Sequence, residues 1–367
     1  MKISITKEAL LGPLQAVNNV VERRQTLPVL SNLLMLAESG QLVLTGTDME
    51  VEVIARIDAA IESEGTVTVP ARKLLDIVKA LPNGAQCDLT LSGEKFQVRS
   101  GRSRFSLSTI PARDFPALTA AEGGELKLTL PAKTLLWLID STQFAMAHQD
   151  VRYYLNGLLL HLKNGGVNAV TTDGHRLALA FAELNHDGEE GAQFILPRKG
   201  VQEMRRLLAD REGDVTLELG SNQLRLEVAH QTLTSKLIDG NFPEYERVVP
   251  AASKFSASGD RVTLRDGLHR AAVLSNEKFR GVRATFEEGV LKAVAHNPEH
   301  EEAEEEIPVE FTGGPVEIGF NVGYLLDVLN VIPAEEVTFQ FTDGDSSCLI
   351  TPSGDDSTRY VVMPMRL

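Results

Sequence analysis

A pattern that recurs three times along 367 residues constrains this chain more than any other feature. Leu30, Asn32, Leu33, Gly40, Thr47 and Asp48 align without a gap with Leu155, Gly157, Leu158, Gly165, Thr172 and Asp173, at an offset of 125 residues. Gly157, Gly165 and Asp173 align in turn with Gly281, Gly289 and Asn297, at an offset of 124. A period this long means tandem domains, because solenoid units run to only about 20–50 residues. Three domains, 1–121, 125–249 and 253–367, fit the usual domain size of roughly 100–200 residues. Three similar domains in a row suggest an object built by rotation, an arc or a ring.

Each repeat is read as opening with a short strand, at Lys2–Ile5, Glu125–Leu130 and Arg261–Thr263, followed by an amphipathic helix. The expected helices span about 6–21, 71–81, 132–147, 198–210, 264–278 and 321–331, with ends uncertain by about two to four residues. Leu10, Leu11, Leu14 and Val17 sit at helical spacing, as do Leu74, Leu75, Val78 and Leu81. Pro13 is expected to bend the first helix or end its first turn. Alternating stretches at Gln41–Thr45, Lys95–Arg99 and Gln223–Val228 read as strands, and Ser39-Gly40, Asn164-Gly165 and Glu288-Gly289 as matching hairpin turns. A weaker symmetry relates Ser4–Leu11 to Thr68–Leu75, and Pro70, Pro197 and Phe320 each precede a helix, so each repeat divides into two halves. Linkers are expected near Thr119–Gly124 and Ala251–Gly259. Sparse aromatics, with Trp137 the only tryptophan, predict mainly aliphatic cores.

Cys87 and Cys348, the only cysteines, lie in different repeats, which speaks against a disulfide framework and for a reducing cytoplasm. The stretch Met1–Thr6 lacks the apolar core of a signal peptide, and no apolar run approaches the roughly 18 residues of a membrane span.

The formal net charge is −15, which taken whole opposes nucleic-acid binding. Its distribution points the other way. The predicted helices are rich in Lys and Arg, including Lys7, Arg72, Lys73, Arg198, Lys199, Arg205 and Arg206, while the acidic excess lies elsewhere. A basic helical face on an acidic protein favours loose or topological contact with a polyanion over tight adhesion. Lys95, Arg99, Arg102 and Arg104 in the first repeat complement Glu299, Glu301, Glu302, Glu304, Glu305 and Glu306 in the third. A head-to-tail contact between copies would pair them, with Phe105, Leu107, Val273 and Leu274 at its buried centre and Lys73 beside it.

Several long strings resemble the bacterial DNA polymerase III beta subunit family, the sliding clamps. They are His148–Gly157, Thr172–Leu177, Ser100–Ser108, Ser275–Arg283 and Tyr360–Leu367, and the resemblance covers the whole chain. It implies an α+β fold of three tandem DNA-clamp domains, closed by two copies into a six-domain head-to-tail ring with helices inside and sheets outside. It implies a non-catalytic processivity factor that encircles duplex DNA without sequence preference and requires no cofactor or metal. The DNA contacts carried over are Arg24, Arg72, Gln149, Tyr153, Tyr154, Arg198 and Lys199. A hydrophobic cleft for short linear motifs is implied at Leu155, Thr172, Gly174, His175, Arg176, Leu177, Pro243, Arg247, Val248, Ser347, Val361, Val362, Met363, Pro364, Met365 and Arg366. Its implied occupants come from the polymerase III alpha subunit, the clamp loader, other DNA polymerases and repair proteins. One departure is local: Glu22-Arg23 and Gln25 stand where the best-known member of the family has a glycine-rich, proline-containing loop.

Two rival readings are weaker. His296-Asn297-Pro298-Glu299-His300 fits the H-x-x-E-H spacing of a zinc protease class, but that chemistry needs both histidines on one helical face and Pro298 breaks a helix. The other is a non-catalytic scaffold ring that encloses no nucleic acid.

Overall fold

The computed structural model describes residues 1–22, 27–116, 118, 126–186 and 188–366. Among them the chain builds one pattern six times: a strand, a helix, then three antiparallel strands. The first repeat supplies β1 (Lys2–Thr6), α1 (Lys7–Val20), β2 (Asn32–Glu38), β3 (Gln41–Thr47) and β4 (Val51–Asp58). After the short β5 (Ala60–Ser63) come β6 (Gly65–Pro70), α2 (Ala71–Ala80), β7 (Gln86–Ser92), β8 (Lys95–Ser100) and β9 (Ser103–Ser108). The second repeat supplies β10 (Leu126–Pro131), α3 (Ala132–Thr142), β11 (Gly157–Leu162), β12 (Gly166–Thr172) and β13 (Arg176–Glu183), then β14 (Gln193–Pro197), α4 (Arg198–Leu208), β15 (Asp214–Leu219), β16 (Gln223–Val228) and β17 (Gln231–Lys236). The third supplies β18 (Phe255–Asp260), α5 (Arg261–Ala272), β19 (Gly281–Glu287), β20 (Val290–His296) and β21 (Glu302–Pro308). It ends with the two-residue β22 (Glu310–Phe311), β23 (Val316–Asn321), α6 (Val322–Val331), β24 (Glu336–Phe341), β25 (Cys348–Pro352) and β26 (Thr358–Val362).

The two halves of a repeat exchange opening strands. β1 pairs with β7 and β6 with β2; β10 pairs with β15 and β14 with β11; β18 pairs with β24 and β23 with β19. The chain also divides into two compact units, Met1–Lys133 with Lys199–Leu237, and Thr134–Arg198 with Ile238–Leu367. The first holds the sheets β5-β1-β7-β8-β9 and β10-β15-β16-β17-β4-β3-β2-β6; the second holds β14-β11-β12-β13-β26-β25-β24-β18-β22 and β21-β20-β19-β23. These units cut the middle repeat because sheets run on from one repeat to the next, through β17 on β4 and β13 on β26.

The repeat is legible at the level of single bonds. The hairpin glycines Gly40, Gly165 and Gly289 have φ of 77°, 71° and 74°, a left-handed conformation that glycine adopts without steric cost. The apolar stripes bury as the spacing predicts, through Leu10, Leu14 and Val17 on α1 and Leu74, Leu75 and Val78 on α2. Pro13 sits inside α1 without ending it.

Three expectations need correction. Arg261–Thr263 is the first turn of α5 and not a strand; Asp260 caps that turn by accepting from the Thr263 amide at 2.7 Å, and the opening strand is Phe255–Asp260. The linker expected over Ala251–Gly259 is therefore shorter, while Thr119–Gly124 lies outside the described residues. The third helix ends at Thr142 and passes into a 3-10 turn, Gln143–Ala145. The cores are mainly aliphatic, as expected, with an aromatic group in the third repeat, where the Phe286 and Phe341 rings lie 4.6 Å apart with Phe311 and Phe339 beside them. No helix among the described residues is long and apolar enough to cross a membrane.

Three basic residues occupy the first position of a helix, one in each repeat, and all three are used internally. Lys7, buried at the start of α1, donates to the carbonyls of Lys79 and Leu81 at the end of α2. Arg261, at the start of α5, donates to Leu329 and Ala334 at and beyond the end of α6. Arg198, at the start of α4, donates to Met146 at 2.7 Å and Ala147 at 2.9 Å, just past α3. A cation suits these unpaired C-terminal carbonyls and the negative helix end.

Candidate functional site

In the second unit, the turn from Thr172 to Arg176 connects β12 to β13. Asp173 Oδ1 accepts from the amides of His175 at 2.9 Å and Arg176 at 3.1 Å, while Thr172 Oγ1 accepts from Gly174 and donates to the Arg176 carbonyl. This aspartate-capped turn places Gly174 at φ 89°. Arg176 then folds back. Its Nε donates to Asp173, its terminal nitrogens reach Asp327 and the Phe144 carbonyl, and its guanidinium lies 4.5 Å from the Tyr324 ring centroid. Asp173 and His175 are therefore parts of a turn. His296 ends β20, and Asn297–His300 is likewise a turn, so the helix a zinc-protease motif needs is not there.

Beyond the turn, the predicted cleft residues Leu155, Leu177 and Val361 are buried in one apolar cluster with Leu159, Val170, Phe242 and Leu349, and Val248 packs against it. The tail is pinned on both sides of Pro364: the Met363 amide donates to the His175 carbonyl at 2.9 Å and Met365 to Gly319 at 2.7 Å. Met363, Pro364 and Met365 are half-buried and form a deformable edge. Pro243 and Arg247 lie on the segment that leads past Tyr245, and Arg247 is exposed and paired with Glu244. Ser347 is half-buried just before β25, and Arg366 is exposed. Val362 is buried in the other cluster of the unit, on the opposite face of β26 from Val361.

The loop His148–Asn156 is built to hold its shape. Asp150 and Asn156 exchange bonds of 2.9 Å, and Arg152 donates to both Asp150 oxygens and to the Asp173 carbonyl. The Arg152 guanidinium holds the Asp150 carboxyl at about 2. The loop presents Gln149, at φ 55°, and Tyr153, 57% exposed, with Tyr154 half-buried behind it. Val151, at 94% the most exposed large apolar residue among the described residues, lies on the same loop. The Asp150-x-Arg152 spacing, a side chain capping the amide two residues on, is the signal that marks the loop.

The other predicted DNA residues divide. Arg72 is exposed in the first turn of α2, whose cap, Pro70, offers no side-chain bond to the free amides there. In the first unit Lys199 binds the Val20 carbonyl, Glu22 and the buried carboxylate of Asp48. Arg198 is tied to Met146 and Ala147, and burial pushes its guanidinium down from its usual range. Arg24 lies outside the described residues.

The predicted interface falls on two free sheet edges, one in each unit. β9 ends its sheet, with Arg102 and Arg104 exposed, Leu107 buried, Phe105 half-buried and a recess of about 390 Å³ beside Arg104 and Phe105. Lys95 donates to Ser108, and Lys73 is exposed on α2. β21 ends its sheet with Glu302 exposed and Glu305 held by a bidentate bond from Arg270. Glu299 and Glu301 are exposed in the preceding turn; Val273, 71% exposed, and the half-buried Leu274 follow α5.

Comparison with known proteins agrees over the whole length. The DNA polymerase III beta subunit family matches in three parts: its N-terminal domain over residues 1–119, its central domain over 129–244 and its C-terminal domain over 246–366. The beta sliding clamps of Pseudomonas aeruginosa and Escherichia coli K12 are 52% and 48% identical, with all of both chains covered in each case. The crystal structure of the DNA polymerase III subunit beta from Pseudomonas aeruginosa matches at a TM-score of 0.96 and 51% identity, again over all of both chains.

Proposed function

The chain belongs to the DNA polymerase III beta subunit family and is a DNA sliding clamp, a non-catalytic processivity factor, and from that premise we propose how its parts divide the work. Two copies close head to tail into a ring of six domains, with three domains per copy at 1–121, 125–249 and 253–367, around duplex DNA in the cytoplasm. One observation carries this reading. Of the six closing strands of the half-repeats, β4 pairs with β17 and β13 with β26, leaving β9 and β21 with free edges and opposite charge. Pairing β9 of one copy with β21 of another extends the same rule twice per ring, and a head-to-tail contact that closes removes both edges.

Arg72, Gln149 and Tyr153 touch the DNA backbone, along with Arg24. Lys199, bonded to the Val20 carbonyl, Glu22 and Asp48, and Arg198, one terminal nitrogen of which is bonded to Met146 and Ala147, serve mainly to hold the start of α4. Contacts this few keep sliding free, and enclosure supplies the residence time. The cleft floored by Leu155, Leu177 and Val361 and edged by Met363 and Met365 takes apolar anchors of short motifs from the polymerase III alpha subunit, the clamp loader, other polymerases and repair proteins. Charge reversal at Arg102 and Arg104 is expected to shift the protein to monomers in sedimentation equilibrium; an unchanged mass would contradict the β9–β21 contact.

A further inference from the structure

One face of the large sheet in the second unit carries more than the cleft. On β13 the residues Leu177, Leu179, Phe181 and Glu183 share that face by alternation, and Asn168 lies opposite Phe181 on β12. Across β26 and β25 the face continues through Val361, Arg359 and Leu349. Leu179 and Leu349 belong to the same apolar cluster as the cleft residues Leu177 and Val361. From there the face opens into a groove of about 970 Å³, walled by the Tyr245–Ala251 segment. His161 Nδ1 and the Tyr245 hydroxyl, 2.8 Å apart and both buried, pin that segment to the sheet.

The groove has the chemistry of a peptide seat. Asn168 lines it and is only 6% exposed, yet its side-chain amide has no hydrogen-bond partner among the described residues. An amide offers one acceptor and two donors, which suits the backbone of an extended chain. The rim carboxylates of Glu183 and Asp356 are exposed and have no ion-pair partner among the described residues, and a third, Glu246, is shared with Lys163; Arg359 is the one cation in the lining. An acidic rim repels nucleic acid and attracts a basic segment.

We propose that this groove is a second seat for the polypeptide held in the cleft, taking the extended, lysine- or arginine-bearing residues that flank the cleft-bound motif. The inference rests on the cleft reading and adds a selectivity the cleft alone lacks. The six residue steps from Leu177 to Glu183 span about 20 Å of strand, so the flank needed is short.

The test uses the full-length protein and synthetic peptides carrying the clamp-binding motif of the organism's own polymerase III alpha subunit. One peptide is the motif alone; others extend it at either end by six residues containing two lysines or two glutamates. Fluorescence anisotropy at low salt is expected to show the lysine flank at one end tightening binding about fivefold. That gain is expected to vanish in E183K/D356K, to persist in the control E38K/E94K, and to fall in Asn168→Ala, with motif-alone binding unchanged throughout. A motif peptide that binds while neither flank matters, or a gain that survives in E183K/D356K, overturns the second seat and leaves the cleft standing. Failure of the motif alone to bind the wild type overturns the cleft, and the second seat with it.

Discussion

The turns at Thr47–Val51 and Thr172–Arg176 are copies of one device with different outcomes. In the first unit, Asp48 Oδ1 accepts from Glu50 at 2.9 Å and Val51 at 2.7 Å, Thr47 Oγ1 bridges Met49 and Val51, and Lys236 donates to the Glu50 carbonyl at 2.8 Å. Each of these bonds has its counterpart around Asp173, down to Met363 on His175. The second aspartate oxygen goes to Lys199 in one turn and to Arg176 in the other. Next in sequence, the paired positions read Glu52 with Thr234 in the first unit and Leu177 with Val361 in the second. The backbone frame therefore does not make a peptide cleft. The side chain that follows the turn and the one paired opposite it are both apolar only in the second unit.

The comparison can be broken most severely by copying the first turn into the second. Leu177→Glu is expected to cost about 3 kcal/mol in urea unfolding and to abolish cleft binding, because it buries a carboxyl among Leu155, Val170 and Val361. Full stability with normal peptide affinity would show that Leu177 does not floor the cleft. Lys199→Met strips the buried Asp48 of its ammonium partner and is expected to cost about 2 kcal/mol, with little change in DNA retention. The opposite result, stability kept and retention lost, would return Lys199 to the DNA. The smallest effect concerns Glu52, whose carboxyl burial pushes above its usual range, against one bond from the Leu118 amide. The folded state then holds that proton more tightly than the unfolded chain, so stability falls as pH rises through the raised value. Glu52→Gln is expected to gain about 1 kcal/mol at pH 7, and the gain should vanish below about pH 4. A gain that did not change with pH would point away from the carboxylate.

The frame was legible because it is repeated: Thr and Asp at offset 125, and glycines at each hairpin, report backbone demands that recur whatever the surroundings. The substitution of Leu177 by Glu52 was visible at the same offset, although its consequence depends on which strand lies opposite. The basic helices were legible as composition but not residue by residue as a surface, because Lys7 and Arg198 donate to the carbonyls of a neighbouring helix end, a tertiary fact. The start of α5 was missed because β-branched Val262 and Thr263 suggested a strand, while the Asp260 cap decided the local structure. The acidic groove was not legible, since its lining is drawn from five strands and a connecting segment far apart in sequence.

The central claim is enclosure of DNA by a closed pair of copies. It is tested most directly by loading the protein onto nicked circular DNA with its clamp loader and measuring retention before and after the circle is linearised. The account predicts stable retention on the circle and rapid loss from the ends once it is cut. Equal retention on linear DNA would contradict it, since the protein would then be held by direct contact instead of by topology.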